Sequence, residues 1–316
     1  MSAPEPETER TDERPDGTRP RDRTPETSIP PVPRIGRTST FRIDDLEVLY
    51  IDTDPEGGKP PLVFVHGYGG CGYEIRWIAP ALSRRFRLIA PDLPGMGFSD
   101  RPERFDSIEI FVRTVAALME RLELPRITLV GHSLGGAVAA TFADRYPDRL
   151  DDLVLIAPYG LEGEQGGILR YLGGITPLVS LAFSLVNRRL YRTLLELSVF
   201  HDAASIPDDL ETYLAESLLS EDGGKTLAAI TIGLMNSTVI EDILPRIERF
   251  VLLIWGEDDR VLQYEWAERF QSLLPLSKLV PIPDCGHMPH VEHPGLTADA
   301  ILEFCSRRNR PSDSPG

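Results

Sequence analysis

One serine stands between two glycines in Gly131-His132-Ser133-Leu134-Gly135, at the join between an apolar run, ITLV, and a run of small residues, AVAATFADRY. A strand that becomes a helix at a single residue strains that residue and lifts its side chain clear of the sheet. Glycines two positions to either side, Gly131 and Gly135, are needed because a side chain there would collide with the tight turn or the adjacent strand. The spacing therefore predicts Ser133 as a nucleophile, placed near a helix N-terminus whose first N–H groups lack intrahelical partners.

A serine hydroxyl needs a base at neutral pH, and the base needs an orienting group. The chain has six histidines. His66 follows the first buried strand, His132 lies inside the elbow, and His201 falls in the insertion at 161–237. His287, His290 and His293 remain, after the last strand. His287 follows a glycine at the tip of Asp284-Cys285-Gly286 and is expected to reach back over the sheet. His290 and His293 lean toward the next helix, whose start Glu292-His293-Pro294 marks. His287 is therefore the expected base. For the acid, the loop after FVLLIWG offers Glu257, Asp258 and Asp259, and any of the three could orient an imidazole. Acyl transfer also needs donors for a tetrahedral oxyanion. The backbone N–H of Leu134 is one, and the glycine-rich His66-Gly67-Tyr68-Gly69-Gly70 supplies the other, expected at Tyr68. His66 itself reads as a structural hydrogen-bonding residue.

These loops share a position. Short continuous apolar runs, LVFV, RLIAP, ITLV, LVLIAP, FVLLIWG and KLVPIP, suit strands buried on both faces of a parallel sheet. Helix-length segments lie between them at 74–85, 107–123, 134–146, 263–273 and 294–307. Such alternation predicts an α/β fold, a doubly wound and mostly parallel sheet, with ligand chemistry at the carboxyl ends of its strands. Phe41 to Ile51 reads as an antiparallel edge hairpin around Asp44-Asp45. Residues 161–237 interrupt the alternation with helical patterns at 168–175, 177–199, 207–219 and 224–236, and are expected to form a helical cap. The core is then 39–160 and 238–308. Residues 1–38, rich in proline and mixed charge, and 309–316 read as disordered tails.

Of 316 residues, 49 are acidic and 33 basic, a net charge of −16 that disfavours binding to nucleic acid or anionic membranes. Cys71, Cys285 and Cys305 are odd in number and widely spaced, so they form no disulfide framework; they read as packing residues of a cytoplasmic protein. No signal-peptide pattern opens the sequence, and the longest apolar run, Pro177 to Val186, is shorter than the ~20 residues a membrane span requires. Neither a cofactor nor a metal is implied.

Taken in order, HGYGG, DLPGMGFSD, GHSLGG, WGEDDRV and CGHMPHVEHP resemble the lid-bearing α/β-hydrolase family, its serine esterase and lipase branch, over residues 40–308. The resemblance implies that the acid is Asp259, three residues after the glycine of the WGxxD turn, with Asp258 the alternative. It also implies that the Asp92–Gly97 loop is chiefly structural, with Asp92 and Ser99 near the site rim. Position 133 is serine, against the aspartate nucleophile of haloalkane dehalogenases and epoxide hydrolases. Carbon–carbon hydrolases of ring-fission products typically carry asparagine before the serine and tryptophan after the histidine, where this chain has His132 and Met288. Hydrolysis of a small carboxylic ester with an apolar acyl or alcohol part is the expected activity. A ring-fission hydrolase, a cofactor-free perhydrolase and a slow-turnover ligand receptor are the alternatives. Arg188, Arg189 and Arg192 read as a solvated helix face rather than a carboxylate site.

Overall fold

The computed structural model describes residues 35–105, 107–161, 163, 186–220, 222–237 and 239–307. Eight strands form one sheet: β1 (Arg37–Ile43), β2 (Leu46–Asp52), β3 (Pro61–Val65), β4 (Arg87–Pro91), β5 (Ile127–His132), β6 (Leu150–Ile156), β7 (Val251–Gly256) and β8 (Ser277–Ile282), in the order β1-β2-β4-β3-β5-β6-β7-β8. β1 and β2 form an antiparallel hairpin, turned at Asp44 with φ 54°, and β2 runs antiparallel to β4. The remaining pairings are parallel.

The central strands read as unbroken apolar runs because both faces are covered. Val63, Val65, Leu129, Leu155, Leu253 and Trp255 share one core cluster, while Phe64, Val130, Val154, Ile156, Leu252 and Ile254 share the other. Side chains alternate across a strand, so neighbours in sequence enter opposite layers. The first layer is closed by α2 (Glu109–Arg121), whose Phe111, Val112, Val115, Leu118 and Met119 are buried at helical spacing, and by α3 (Leu134–Arg145). The second is closed by the short α1 (Ala79–Leu82) and by α9 (Pro294–Arg307). From β3 the sheet is extended one way by β4 and the other way by β5, so the loops leaving β3 and β5 open a crevice at their carboxyl ends.

The helical reading of 74–85 is corrected. A tight turn at Gly72–Trp77 precedes α1, with Pro80 in the first turn of that helix. Proline has no N–H to give to a preceding turn and is at home in the first turn of a helix, so Pro80 favours a new start over one continuous helix. Between β6 and β7 the described residues hold α4 (Arg188–Leu194), a wide π-type turn at Leu195–Val199, α5 (Asp208–Leu219) and α6 (Gly223–Ser237), with no strand among them. The helix read at 168–175 and the first part of that at 177–199 lie outside the described residues, as do most of the segments read as tails. β1 starts at Arg37, inside the segment read as N-terminal tail. Arg188 and Arg192 of α4 both pair with the largely buried Glu211 of α5. Two short helices complete the set: α7 (Glu265–Leu273) and α8 (Pro289–Glu292).

Candidate active site

At the end of β5, Ser133 has φ 52° and ψ −116°, a conformation that L-residues rarely adopt. Bonds on both sides hold it there. Its N–H donates to the Ile156 carbonyl at 2.9 Å, and its own carbonyl accepts from Gly136 at 2.8 Å and Tyr159 at 3.0 Å. The flanking glycines are sterically required. A Cβ on Gly131 would stand 2.2 Å from the Gly135 carbonyl oxygen, and one on Gly135 would stand 2.1 Å from that of Val65.

The turn after β3 lies against this elbow. A Cβ on Gly67 would come within 3.1 Å of the Ser133 Cβ. Gly70 N–H closes the turn onto the Gly67 carbonyl at 3.1 Å. Among the described residues, no acceptor faces the N–H of Tyr68 or of Leu134. The Tyr68 hydroxyl reaches α6, donating to the Leu227 carbonyl at 2.9 Å and meeting Thr231 Oγ1 at 2.7 Å. Leu93 N–H donates to His66 Nε2, so that ring carries its hydrogen on Nδ1, which donates to the Gly67 carbonyl at 2.7 Å. His66 is thereby committed on both nitrogens. Asp92 and Ser99 are buried and serve the backbone: Asp92 accepts from Gly72 and Phe98, and Ser99 bridges Asp92 and Leu49.

His287 Nδ1 lies 2.7 Å from Asp259 Oδ2. The other carboxylate oxygen accepts from Val261 N–H at 2.8 Å and Leu262 N–H at 2.9 Å, which aims Oδ2 at the ring. A carboxylate only accepts, so the hydrogen sits on Nδ1 and Nε2 stays free to take a proton. Asp258 turns the other way, its Oδ2 lying 3.2 Å from His201 Nδ1 at the surface.

Two features of the His287 loop were missed by sequence reasoning. His287 N–H donates to the Val199 carbonyl at 2.7 Å, tying the loop to the segment between β6 and β7. Glu292 accepts from Gly286 N–H at 3.1 Å, Met288 N–H at 3.2 Å and His201 N–H at 2.7 Å. His293 is occupied at the Asp284 carbonyl. Glu74 was also missed, although Cys71-Gly-Tyr-Glu74 has the spacing at which a glutamate reaches back to a turn's first N–H. Its Oε1 accepts from Cys71 N–H at 3.1 Å, and its Oε2 lies 3.3 Å from His290 Nε2.

Burial keeps His132 neutral, pushing its pKa well below the usual range, with His290 and His287 adding to the effect. Burial likewise pushes the Cys71 and Cys285 thiols up, so both remain protonated at neutral pH. Among the described residues, two groups bring three metal-type donors within 4.8 Å: buried Glu74, His132 and His290, and the more exposed His201, Asp258 and Asp284.

Ser133 and His287 line one cavity of about 260 Å³, whose apolar wall includes Leu194, Leu195, Leu214, Leu218, Leu227 and Met288. A separate, more open cleft of about 690 Å³, lined by Glu196, Asp202, Asp284 and Glu292, contains neither.

A family model for the alpha/beta hydrolase fold matches residues 60–294. The chain belongs to the alpha/beta hydrolase family. The family match supports a hydrolase. This hydrolase is 32% identical over 243 residues to 2-hydroxy-6-oxo-2,4-heptadienoate hydrolase of Pseudomonas putida, covering 75% of this chain and 85% of that protein. It is 27% identical to Lipase 3 of a Moraxella species over 264 residues, 82% of this chain and 81% of the lipase. A solved bacterial membrane phospholipase A superposes with a TM-score of 0.74 at 29% identity, covering 87% of each chain. The hydrolase resembles both ester-cleaving and carbon–carbon-cleaving relatives. Among its described residues, no helix is long and apolar enough to cross a membrane.

Proposed function

We propose that this protein hydrolyses carboxylic esters with an apolar acyl or alcohol part through an acyl-enzyme on Ser133. One observation carries the reading: His287, oriented by Asp259 at 2.7 Å, opens onto the same apolar cavity as Ser133. In this mechanism His287 Nε2 removes the Ser133 proton as Oγ attacks the acyl carbon. The N–H groups of Tyr68 and Leu134, which lack acceptors among the described residues, receive the oxyanion. The imidazolium, stabilised by Asp259, protonates the leaving alcohol, and water repeats the sequence on the acyl-enzyme. The helices between β6 and β7 act as a cap, supplying leucines that cover the acyl group at about 0.8 kcal/mol per buried methylene.

The second reading, cleavage of a carbon–carbon bond in a ring-fission product, is favoured by the 32% identity to the heptadienoate hydrolase. Against it stands the charge of the cavity. Among the described residues its wall has the acid Glu74 and no lysine or arginine, so a substrate carboxylate would find neither of those cations to pair with. Arg188 and Arg192 are already committed to Glu211.

The deciding experiment compares wild type with Ser133→Ala on p-nitrophenyl esters of increasing acyl length and on a 2-hydroxy-6-oxodienoate. The ester reading expects turnover that rises with chain length and vanishes in S133A. Turnover of the dienoate alone establishes the second reading. Equal inactivity of wild type and S133A on both, with ligand still bound, leaves a receptor.

A further inference from the structure

Three buried ionisable side chains outside the proposed triad meet where the site's three loops converge. Glu74 comes from the turn after β3, His132 from the elbow and His290 from α8, and all three are buried. The hydrogen positions follow from the partners. The His287 carbonyl can only accept, so His132 carries its hydrogen on Nε2, which donates to it at 2.9 Å. With the ring neutral, His132 Nδ1 is a bare lone pair. That nitrogen is buried without a hydrogen-bond partner, and it lies 3.8 Å from Glu74 Oε2. Two acceptors facing each other in a dry site repel, and leaving either unsatisfied is costly. A hydrogen carried by the cluster converts the repulsion into attraction.

Glu74 is also wedged against the glycine turn. A Cβ on Gly70 would stand 2.3 Å from Glu74 Oε1, the oxygen that accepts the Cys71 N–H. A continuous path thus runs from the turn bearing Tyr68, through Glu74 and His132, to the main chain of His287.

We propose that Glu74 is a positioning residue of this hydrolase, its carboxyl group sharing a hydrogen with His290 Nε2 at 3.3 Å and standing against His132 Nδ1 at 3.8 Å, and so fixing the oxyanion turn, the elbow and the base loop relative to one another. The proposal rests on the triad reading above and adds a group that never touches the reacting atoms. Its leverage is geometric, since a displacement of about 1 Å in such a site costs on the order of 10²-fold in rate.

The test uses the full chain with Glu74→Gln, Glu74→Leu and Glu74→Asp. The rate of Ser133 phosphonylation by a fluorophosphonate is measured beside kcat and KM on p-nitrophenyl esters, with S133A as the labelling control. The amide of E74Q keeps an acceptor for Cys71 N–H and offers an N–H toward His132 Nδ1, so it retains the labelling rate and kcat within about threefold. E74L, near in volume and without either function, loses roughly 10–100-fold in labelling and kcat while KM stays within about twofold. If E74L does not fold, E74D, with an arm one methylene shorter, gives the same split in smaller measure.

Wild-type rates in E74L or E74D overturn the proposal. So does an E74Q as impaired as E74L, which would mean that charge rather than a shared hydrogen is needed. One equivalent of divalent metal in the purified protein, lost in E74Q and H290Q, would put an ion where the hydrogen is placed and overturn it too. Labelling separates the two levels of inference. A wild type that is labelled but inactive on esters sinks the substrate reading and leaves this proposal testable by labelling rate. A wild type that is not labelled sinks both.

Discussion

His132 Nε2 donates to the backbone carbonyl of His287 at 2.9 Å, with the two rings 4.9 Å apart. The residue beside the elbow serine therefore grips the main chain of the loop that carries the proposed base. Val199 accepts the N–H of the same residue at 2.7 Å, so the His287 backbone is held on both of its polar groups. Its imidazole is aimed by Asp259. Backbone and side chain are fixed by different parts of the molecule, which separates the consequences of mutating each.

Asp259→Asn is expected to lower kcat about 10²–10⁴-fold, because the amide can donate to Nδ1 and favour the wrong imidazole tautomer. Asp258→Asn removes only a surface contact with His201, and contacts of that kind are worth about 0–1 kcal/mol. It should leave kcat within about threefold. Steady-state ester hydrolysis on both variants reads the difference, and the reverse ranking would move the orienting role to Asp258.

How much of this was legible without coordinates follows from what each residue depends on. The placement of the motif loops at strand ends was readable because each motif ends an unbroken apolar run, as suits a strand covered on both faces. Ser133 was readable because a Cβ on either flanking glycine would stand 2.1 or 2.2 Å from a backbone oxygen, a constraint local enough to leave a fixed spacing. Asp258 and Asp259 were not separable by residue type alone. Which carboxylate turns inward depends on the Val261 and Leu262 N–H groups, and that depends on the loop's path. Glu74 left no mark in the hydrophobic pattern. It lies in a tight turn whose first residues are buried without helical or strand periodicity, and its histidine neighbours are 58 and 216 positions away.

The neutral state of buried His132 makes stability depend on pH. In the unfolded chain a histidine titrates near 6.5. Burial holds the folded value well below that, so under pH 6.5 the unfolded state binds the extra proton. The slope of unfolding free energy with pH is then positive, and stability falls as pH drops from about 6.5 toward the folded value, by at most about 1.4 kcal/mol per pH unit for this group. Burial pushes Asp92 up, which acts in the opposite sense, since falling pH relieves its cost. The comparison of wild type with His132→Asn cancels that contribution. Urea titrations at pH 7.5, 6.5 and 5.5 should show a shallower pH slope for H132N; parallel slopes would mean that His132 takes up its proton in the fold.

Two glycine substitutions with opposite signs test the steric account of the elbow. A methyl group on Gly135 would stand 2.1 Å from the Val65 carbonyl oxygen and 2.6 Å from that of His66. Both are backbone atoms of the strand end and turn beside Ser133, so relief requires moving β3 or α3. Overpacking of this kind costs about 1–3 kcal/mol, and more where backbone must shift. Gly295 provides the contrast, because nothing lies within 4 Å of where its Cβ would be and it occupies the first turn of α9. There, alanine reduces the freedom of the unfolded chain without strain and is worth about 0.4–1 kcal/mol of stabilisation. Gly135→Ala should therefore lower Tm and abolish ester hydrolysis, whereas Gly295→Ala should raise Tm slightly and leave kcat unchanged. Thermal unfolding followed by circular dichroism reads both signs. A G135A variant with wild-type Tm and activity would mean that the elbow has slack which contacts of 2.1 Å do not allow.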